Sequence, residues 1–537
     1  MMYLKTRAIY KFLKKYNRFI TTPAKQEKNF KWIEPIGTDT GIKLYNPITK
    51  TKVSLILRKE GFLTWYMCGP TVYDSAHIGH AITYIRFDVI RRILTQYFNI
   101  HTLVIMGVTD IDDKIIMRAA EKGTNFKELS KFYEDEFFND LEMLNITMPH
   151  LSCRVTEYIP QIIQFIANIL AKNKAYVAKD GSVYFDTKSY NKYGKLLVPF
   201  MDTTCTDKRS SLDFALWKAA KDKEPYWESP WGCGRPGWHI ECSAMASAVF
   251  GKTIDIHSGG IDLMFPHHEN EEAQSCCYHN TEQWVNYWLH CGHLCLKDDI
   301  KMSKSLKNTI SIKEFLEKYT TNDLRMLCLL SHYRSNIIYS NDVIDHAVSA
   351  RKKIENFINE CNNYLTGKIN SNNIDEVSLI HNLHETKSMV HMALADDFNT
   401  AQAIRAILNL VDISNKMFSQ NNSTYNDKGT TAIAAVSVYI SNILSIFGFT
   451  KSKCIVENRK TEDIINYFVE FRNVIRNKIL EQKEKDEFLL LACDTARKNL
   501  YTCGITVKVN NYYYYHLRNK IIHHISLKCK LFVFVGS

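Results

Sequence analysis

Cys68, Cys242, His267 and Glu271 offer the donor types that zinc accepts: two thiolates, an imidazole and a carboxylate. His267 and Glu271 are four apart in a string that Pro266 marks as a helix start, so both can face one ion. The thiols must come from distant segments, because none of the fifteen cysteines forms a Cys-x-x-Cys pair. Taken singly, each residue has a blander role, since a free cysteine is usually core and a surface His-Glu pair is usually solvated. Spacing alone does not identify a metal site without the fold. The string His268-Glu269-Asn270-Glu271-Glu272 lacks the second histidine of a His-Glu-x-x-His protease helix, which excludes that chemistry.

Two further strings suit phosphate. His77-Ile78-Gly79-His80 stands where a strand gives way to a helix, and free backbone N-H groups and the helix dipole there favour an anion. Its imidazoles can donate to triphosphate oxygens, and Gly79 lets a nucleotide approach the backbone. Lys301-Met302-Ser303-Lys304-Ser305 is a doubly basic polar string whose ammonium groups could neutralise a departing pyrophosphate. Each string alone is weak evidence; the pair, in this order, is much stronger.

The elements that position them read as strand, helix, strand. Phe62 to Met67 is a short apolar strand, Ile82, Ile85, Ile90, Ile93, Leu94 and Phe98 recur at helical spacing, and His101 to Met106 is a second strand. This order predicts a doubly wound, mostly parallel α/β domain with ligands beyond the carboxyl ends of its strands. From about 120 to 225 the alternation is lost, with helices predicted at Phe126 to Leu144 and Tyr158 to Lys172 and a hairpin at Ala175 to Asp186, as in an inserted domain. Thr253 to His257 and Trp288 to Cys291 restore the sheet pattern. Beyond about 315 the periodicity is helical, with polar linkers at Gly367 to Asn373 and Ser419 to Gly429.

The 537 residues are too many for one core, and 45% hydrophobic with 23% charged residues is ordinary for a soluble globular chain. No apolar run reaches the roughly 18 residues of a spanning helix. The net charge of +11 is uneven: residues 1 to 26 carry seven Lys or Arg and no acid, which leaves 61 basic against 57 acidic residues elsewhere. Basic residues alternating with Tyr3, Leu4, Ile9, Phe12, Leu13, Tyr16, Phe19 and Ile20 can form the amphipathic basic helix of a mitochondrial transit peptide, the alternative being a basic arm that touches RNA. Cytoplasm is the alternative compartment. The cysteine count without a secretory signal argues against a disulfide framework.

Over roughly residues 40 to 508 the sequence resembles cysteinyl-tRNA synthetases of the class I family. The resemblance rests on Cys68 to Asp74 with His77 to His80, Thr109-Asp110-Ile111-Asp112-Asp113-Lys114, Gly234 to Met245, Asp255 to Glu271, Lys301 to Ser305 and Asp396-Asp397-Phe398-Asn399-Thr400-Ala401. It implies a Rossmann-like doubly wound α/β catalytic domain with an inserted connective domain, followed by an α-helical anticodon-binding bundle. The implied boundaries are a leader at 1–35, a catalytic domain at 36–315, a linking helical segment at 316–365, an anticodon-binding region at 366–508 and a tail of unassigned role at 509–537. Also implied are one zinc ion per chain on Cys68, Cys242, His267 and Glu271, and a cysteine pocket shaped by Gly69, Thr109, Trp238 and His257. ATP, with Mg2+, would be served by His77, His80, Gly259, Asp262 and Lys304, and catalysis by His77, His80, Lys301 and Lys304. The implied reaction joins L-cysteine to tRNA(Cys) through a cysteinyl-adenylate, in a chain expected to be monomeric and free of membrane.

Three departures stand out. Leu306-Lys307-Asn308 replaces the Leu-Gly-Asn of many bacterial members. Met117 stands where many members have a second lysine, which weakens the implied pyridoxal-phosphate-dependent cysteine persulfide synthesis. The usual polar, tryptophan-containing end is not recognisable after Lys508, where Tyr512 to Tyr515 lead into a basic, apolar tail. A tRNA-independent cysteine ligase on the same scaffold is the rival reading, and the helical half argues against it. Residues 1 to 26 fused to a fluorescent protein are expected to carry it into mitochondria; diffuse cytosolic fluorescence would remove the targeting assignment.

Overall fold

In the computed structural model of the chain, the residues described are 30–197, 208–295, 309–368, 374–419, 429–450, 468, 471–472, 474–482, 486–502, 505–507 and 515–517. Residues 1–29 of the leader, both polar linkers apart from their edges, the lysine string and most of the tyrosine-rich tail lie outside them. Among the described residues no helix is long and apolar enough to cross a membrane.

An antiparallel hairpin, β1 (Thr38–Asn46) and β2 (Thr51–Leu57), precedes the main sheet. That sheet is parallel throughout and contains β3 (Phe62–Thr71), β4 (His101–Thr109), β5 (Leu151–Arg154), β10 (Ile254–Gly260) and β11 (Val285–Cys291), in the order β11-β10-β3-β4-β5. Every residue of β11 is buried, as expected of a strand covered on both faces. Chain order runs outward from β3 in one direction and returns through β10 in the other. The switch point, where ligands of such sheets bind, therefore lies between β3 and β10. Leu151–Arg154, inside the stretch that sequence assigned to an insertion, is the fifth strand of this sheet. What does stand apart is a four-stranded antiparallel sheet of β6 (Ala175–Val177), β7 (Val183–Phe185), β8 (Phe214–Ala219) and β9 (Gly234–Pro236).

The helix Ile78–Arg92 crosses from β3 to β4 and buries eleven of its residues. Its start is closed by a capping box in which His77 and His80 take the places usually held by Ser or Thr and Glu. After β11, the two-residue strands β12 (Leu294–Cys295) and β13 (Ile337–Ile338) pair in parallel. The helices Asn341–Leu365, Glu376–Ala395, Thr400–Ser419 and Thr430–Ile446 then form the helical half. Ala347, Ala350, Ile354, Phe357, Cys361 and Tyr364 are buried at alternating steps of three and four, one apolar stripe of a helix. A short antiparallel pair, β14 (Ile505–Val507) and β15 (Tyr515–Leu517), follows the helix Glu487–Thr502.

One continuous apolar core runs from β1 and the helix Ile78–Arg92 through the helical half to Phe447. A buried charge cluster fixes how these parts meet. Arg325 Nη1 donates to Asp88 Oδ2 at 2.7 Å and to the Phe447 carbonyl at 3.1 Å, and its Nη2 donates to the carbonyls of Leu144 and Asn145 at 2.9 and 3.0 Å. Burial would raise the Asp88 carboxyl, but Arg325 and Arg92 outweigh it and hold it below the usual carboxylate range. Both side chains have no exposed surface, so removing one leaves an uncompensated buried charge. Arg325→Leu should therefore cost about 3–5 kcal/mol, read as a lower denaturant midpoint. Because the pair's contribution is present above the unfolded carboxylate range and is lost as pH falls through the depressed folded value, the deficit should shrink in acid. An unchanged midpoint at neutral pH would remove this role.

Candidate metal and nucleotide site

The register Ile256↔Trp65, His257↔Tyr66 and Ser258↔Met67 brings the carboxyl ends of β3 and β10 side by side, so Cys68 and Gly259 reach the same edge. Cys242 arrives on the helix Trp238–Phe250, which starts straight after β9. His267 and Glu271 arrive on a wide five-residue turn, Met264–His268, that runs into the helix Glu269–His279. The regular helix thus begins at Glu269 rather than at Pro266, after the wide turn Met264–His268, in which Phe265 has non-helical dihedrals. The i, i+4 relation survives, with His267 Nε2 and Glu271 Oε1 2.9 Å apart.

These four residues meet. Cys68 Sγ is 4.0 Å from Cys242 Sγ and 3.8 Å from Glu271 Oε1. All four are buried, and their ligand atoms lie within 4.8 Å of one another. Tetrahedral zinc with bonds of about 2.3 Å to sulfur would set two thiolates roughly 3.8 Å apart, so the spacing fits. A second quartet shares Cys68 and Glu271 and adds His257 and His268. The first, with two thiols, suits a thiophilic ion better. In that arrangement His257 Nε2 holds the other Glu271 oxygen at 2.9 Å, which orients the carboxylate.

The electrostatics suit a cation. Burial would raise the Glu271 carboxyl, but His257 and His267 overcome it and hold it at about 2. Burial likewise opposes charge on His267, yet Glu271 and Cys242 push it up to about 10. The two thiols behave oppositely. The Cys68 hydrogen bond pulls Cys242 down to about 6 against its burial, while burial and that same pairing push Cys68 up. Around them, burial keeps His239 and His268 neutral and draws His290 down to about 3.

The remaining predicted residues gather at this edge. Trp238 stacks on His267 with ring centroids 4.3 Å apart, and at 38% exposure it faces the open side. His257 lies fully buried against Trp288, centroids 4.7 Å apart. Thr109 Oγ1 donates to Glu241 Oε2 at 3.1 Å. Gly69 is required sterically, since a Cβ there would run into the Gly107 carbonyl. A Cβ at Gly259 would instead crowd the side chains of Leu263 and His268. Asp262 Oδ1 is 3.7 Å from His293 Nε2.

The histidine turn differs from the sequence expectation of free amides. Gly79 N-H donates to His77 Nδ1 at 3.1 Å, Ile78 N-H donates to the Ile310 carbonyl at 3.0 Å, and the His77 N-H donates to His80 Nδ1 at 3.2 Å. These first-turn donors are satisfied internally, and the two imidazoles stack at 3.9 Å. The Ile310 contact and the His77↔Ser311 bridge return the chain to this turn just beyond the lysine string. Lys301 and Lys304 themselves lie outside the described residues. Sequence reasoning missed His268, His290, His239 and Glu241. His268 stands beside His267, but an ideal helix would turn it about 100° away. The wide turn removes that objection, and His268 Nε2 lies 3.4 Å from Cys68 Sγ.

Comparison with known proteins agrees with this geometry. Residues 55–349 match the family described as tRNA synthetases class I (C) catalytic domain, and residues 389–451 match the DALR domain. A probable cysteine-tRNA ligase, mitochondrial, of Xenopus tropicalis is 44% identical over 511 residues, covering 89% of each chain. A cytoplasmic cysteine-tRNA ligase of Dictyostelium discoideum is 40% identical, covering 87% of this chain and 76% of its own. Among solved structures, Mycobacterium tuberculosis methionyl-tRNA synthetase with methionyl-adenylate shares the fold, at TM-score 0.55 and 14% identity, over 72% of this chain and 90% of its own. The chain therefore belongs to the cysteine-tRNA ligase family of class I tRNA synthetases, and is a ligase.

Proposed function

We propose that the chain activates L-cysteine with ATP to cysteinyl-adenylate and transfers it to the 3′-terminal adenosine of tRNA(Cys). The observation that carries this reading is the buried quartet of two thiols, an imidazole and a carboxylate beside the histidine turn. The relatives' names support the amino acid, and none of them supports the tRNA-independent alternative. Zinc is the ion we assign to Cys68, Cys242, His267 and Glu271. When bound, it would hold the substrate sulfur as thiolate, a contact that the hydroxyl of serine replaces poorly.

The chain's own groups then do the positioning. Thr109 and Trp238 flank the substrate side of the quartet, His257 fixes the Glu271 carboxylate, and Gly69 lets the backbone pass close. The cysteine carboxylate attacks the α-phosphate of ATP, carried with Mg2+, and pyrophosphate leaves. His77, His80 and, from the lysine string, Lys301 and Lys304 offset its charge, with Gly259 and Asp262 on the nucleoside side. No protein acid or base is obligatory for that step, so orientation and electrostatics carry it. The terminal 2′-hydroxyl of tRNA then attacks the cysteinyl carbonyl, the acyl-phosphate bond breaks, and AMP leaves. The helical region 366–508 would dock the anticodon stem, and the basic leader would direct the chain to the mitochondrial matrix, in line with the Xenopus relative's name.

Two measurements test this. Cys242→Ser should lose bound zinc and cysteine-dependent pyrophosphate exchange together, and any residual preference for cysteine over serine should fall to about ten to two hundredfold, what an apolar pocket supplies. Full exchange in that variant would overturn the assignment. Metal uptake by metal-stripped protein near neutral pH should release roughly two protons, from the Cys68 thiol and the His267 imidazolium, since Cys242 and Glu271 are already ionised. Apparent zinc affinity must then rise with pH. Calorimetry in buffers of different ionisation enthalpy gives the count; proton-free, pH-independent uptake would contradict these ligands.

A further inference from the structure

The Asp396 to Ala401 string lies far along the chain from the metal quartet and the histidine turn, in the connection between the helices Glu376–Ala395 and Thr400–Ser419. Its centre is unusual in two respects. Asp397 and Phe398, neither of them glycine, hold left-handed backbones with φ of 58° and 52°. Both are completely buried. Such a conformation persists where surrounding contacts over-determine it.

It presents a carboxylate. Asp397 Oδ1 accepts from Tyr333 Oη at 2.9 Å and from the Tyr45 amide at 3.1 Å, and Oδ2 accepts from Arg334 Nε at 2.9 Å. His332 Nε2 stands 3.5 Å from Oδ2. The Asp397 amide in turn donates to the Lys43 carbonyl at 2.8 Å. One acid from the helical half thus holds the turn His332-Tyr333-Arg334 against the β1 strand.

That turn is the support of the nucleotide side. Its Tyr333 carbonyl accepts from Arg86 Nη1 at 3.0 Å and from the Gly292 amide at 2.9 Å. Ser331 Oγ, just before it, accepts from Arg86 Nη2 at 2.8 Å. Arg86 is on the helix that begins with the His77 to His80 turn, and its Nη1 also donates to the Gly292 carbonyl at 3.0 Å. Gly292 directly follows β11 and adjoins His293, the neighbour of Asp262. A Cβ at Gly292 would run into the Ser335 backbone, so this approach is close-packed. Asp397, the 332–334 turn, Arg86 and Gly292 therefore form one unbroken polar chain.

We propose that Asp397 is a positioning residue for ATP, contributed by the helical half to the class I nucleotide side. It rests on the proposed nucleotide role of the histidine turn, and it gives the helical half a part in adenylate formation that is separate from tRNA binding. Displacements far from the chemistry lower rate when they shift a helix that aligns reacting groups. The ligand atoms of Cys68, Cys242, His267 and Glu271 are not on this chain of contacts, and the helix Ile78–Arg92 reaches the quartet only through Tyr84 Oη, which donates to the Cys68 carbonyl at 3.3 Å, so the cysteine side should be affected much less.

The test is cysteine-dependent pyrophosphate exchange by full-length protein, with ATP and cysteine titrated separately and zinc content and thermal midpoint recorded. Asp397→Ala should lower kcat/KM for ATP roughly tenfold or more while KM for cysteine stays within about twofold and zinc content is unchanged. Asp397→Asn, which can still accept from Tyr333 and Tyr45 but loses its charge toward Arg334, should fall between the two. Tyr333→Phe should shift the ATP parameters in the same direction by less. A folded Asp397→Ala protein with unchanged ATP parameters, or with ATP and cysteine parameters falling equally, overturns the proposal. If Asp397→Ala does not fold, unchanged ATP parameters in both Asp397→Asn and Tyr333→Phe overturn it instead. His80→Ala serves as the separate control: normal ATP parameters there would defeat the nucleotide reading itself, whatever Asp397 does.

Discussion

Glu271 has no exposed surface, and each of its oxygens lies 2.9 Å from an imidazole nitrogen, His257 on one side and His267 on the other. A lone carboxylate at that depth would take up a proton rather than stay charged. Keeping it ionised requires β10, which carries His257, and the turn Met264–His268 to stay in register with the helix Glu269–His279. The same helix buries two more acids, and both meet the single segment 194–196. Glu269 accepts from the Gly194 and Leu196 amides at 2.6 and 2.7 Å, and Glu272 pairs with Lys195 Nζ at 3.0 Å. The two imidazoles on one side and the 194–196 segment on the other therefore fix this one helix, and with it half of the metal quartet.

The other half is fixed by sheet topology. Cys68 lies at the end of β3, where the strand order reverses, and the crossover helix begins a few residues later. A parallel strand pair leaves its carboxyl ends open at such a point, so groups from β3 and β10 converge there without a long loop to order. The site thus draws its precision from regular elements, which hold side chains more tightly than loops do. The helix Trp238–Phe250 adds Cys242 from a third direction, and the Cys68 to Cys242 spacing then follows from helix against sheet rather than from local sequence.

This explains what was legible. The His267 to Glu271 relation was readable because it is local, a step of four on a helical surface. Donor types at Cys68 and Cys242 were readable, but their meeting depends on strand register and on packing across 174 residues of chain, which no periodicity reports. The strand-helix-strand start was legible because β3 is apolar and its helix periodic. Leu151–Arg154 was not, since Leu-Ser-Cys-Arg alternates over only four residues, too short a run to mark a strand, and becomes one by pairing with β4. The free amides expected at the histidine turn failed for another reason: the same imidazoles that suit phosphate can also cap the helix, and in the structure their Nδ1 atoms do so. His268 was hidden by a wide turn; the Asp396 to Ala401 string was noticed, but the role of Asp397 was not, because a left-handed aspartate cannot be told from sequence and its partners lie more than 60 residues away.

The union of the catalytic and helical halves shows how two kinds of force divide the work. Their shared apolar core supplies most of the favourable free energy, but burial of apolar area is non-directional and would tolerate sliding of one half on the other. Guanidinium groups remove that freedom. Arg325 joins the helix Ile78–Arg92 to the Phe447 carbonyl, Arg86 joins it to the turn before β13, and Arg334 joins that turn to Asp397. Each makes charge-assisted or multiple hydrogen bonds at one register, and a slip of an ångström would leave buried donors without partners. The apolar interface gives the halves their cohesion, and these three arginines set their alignment.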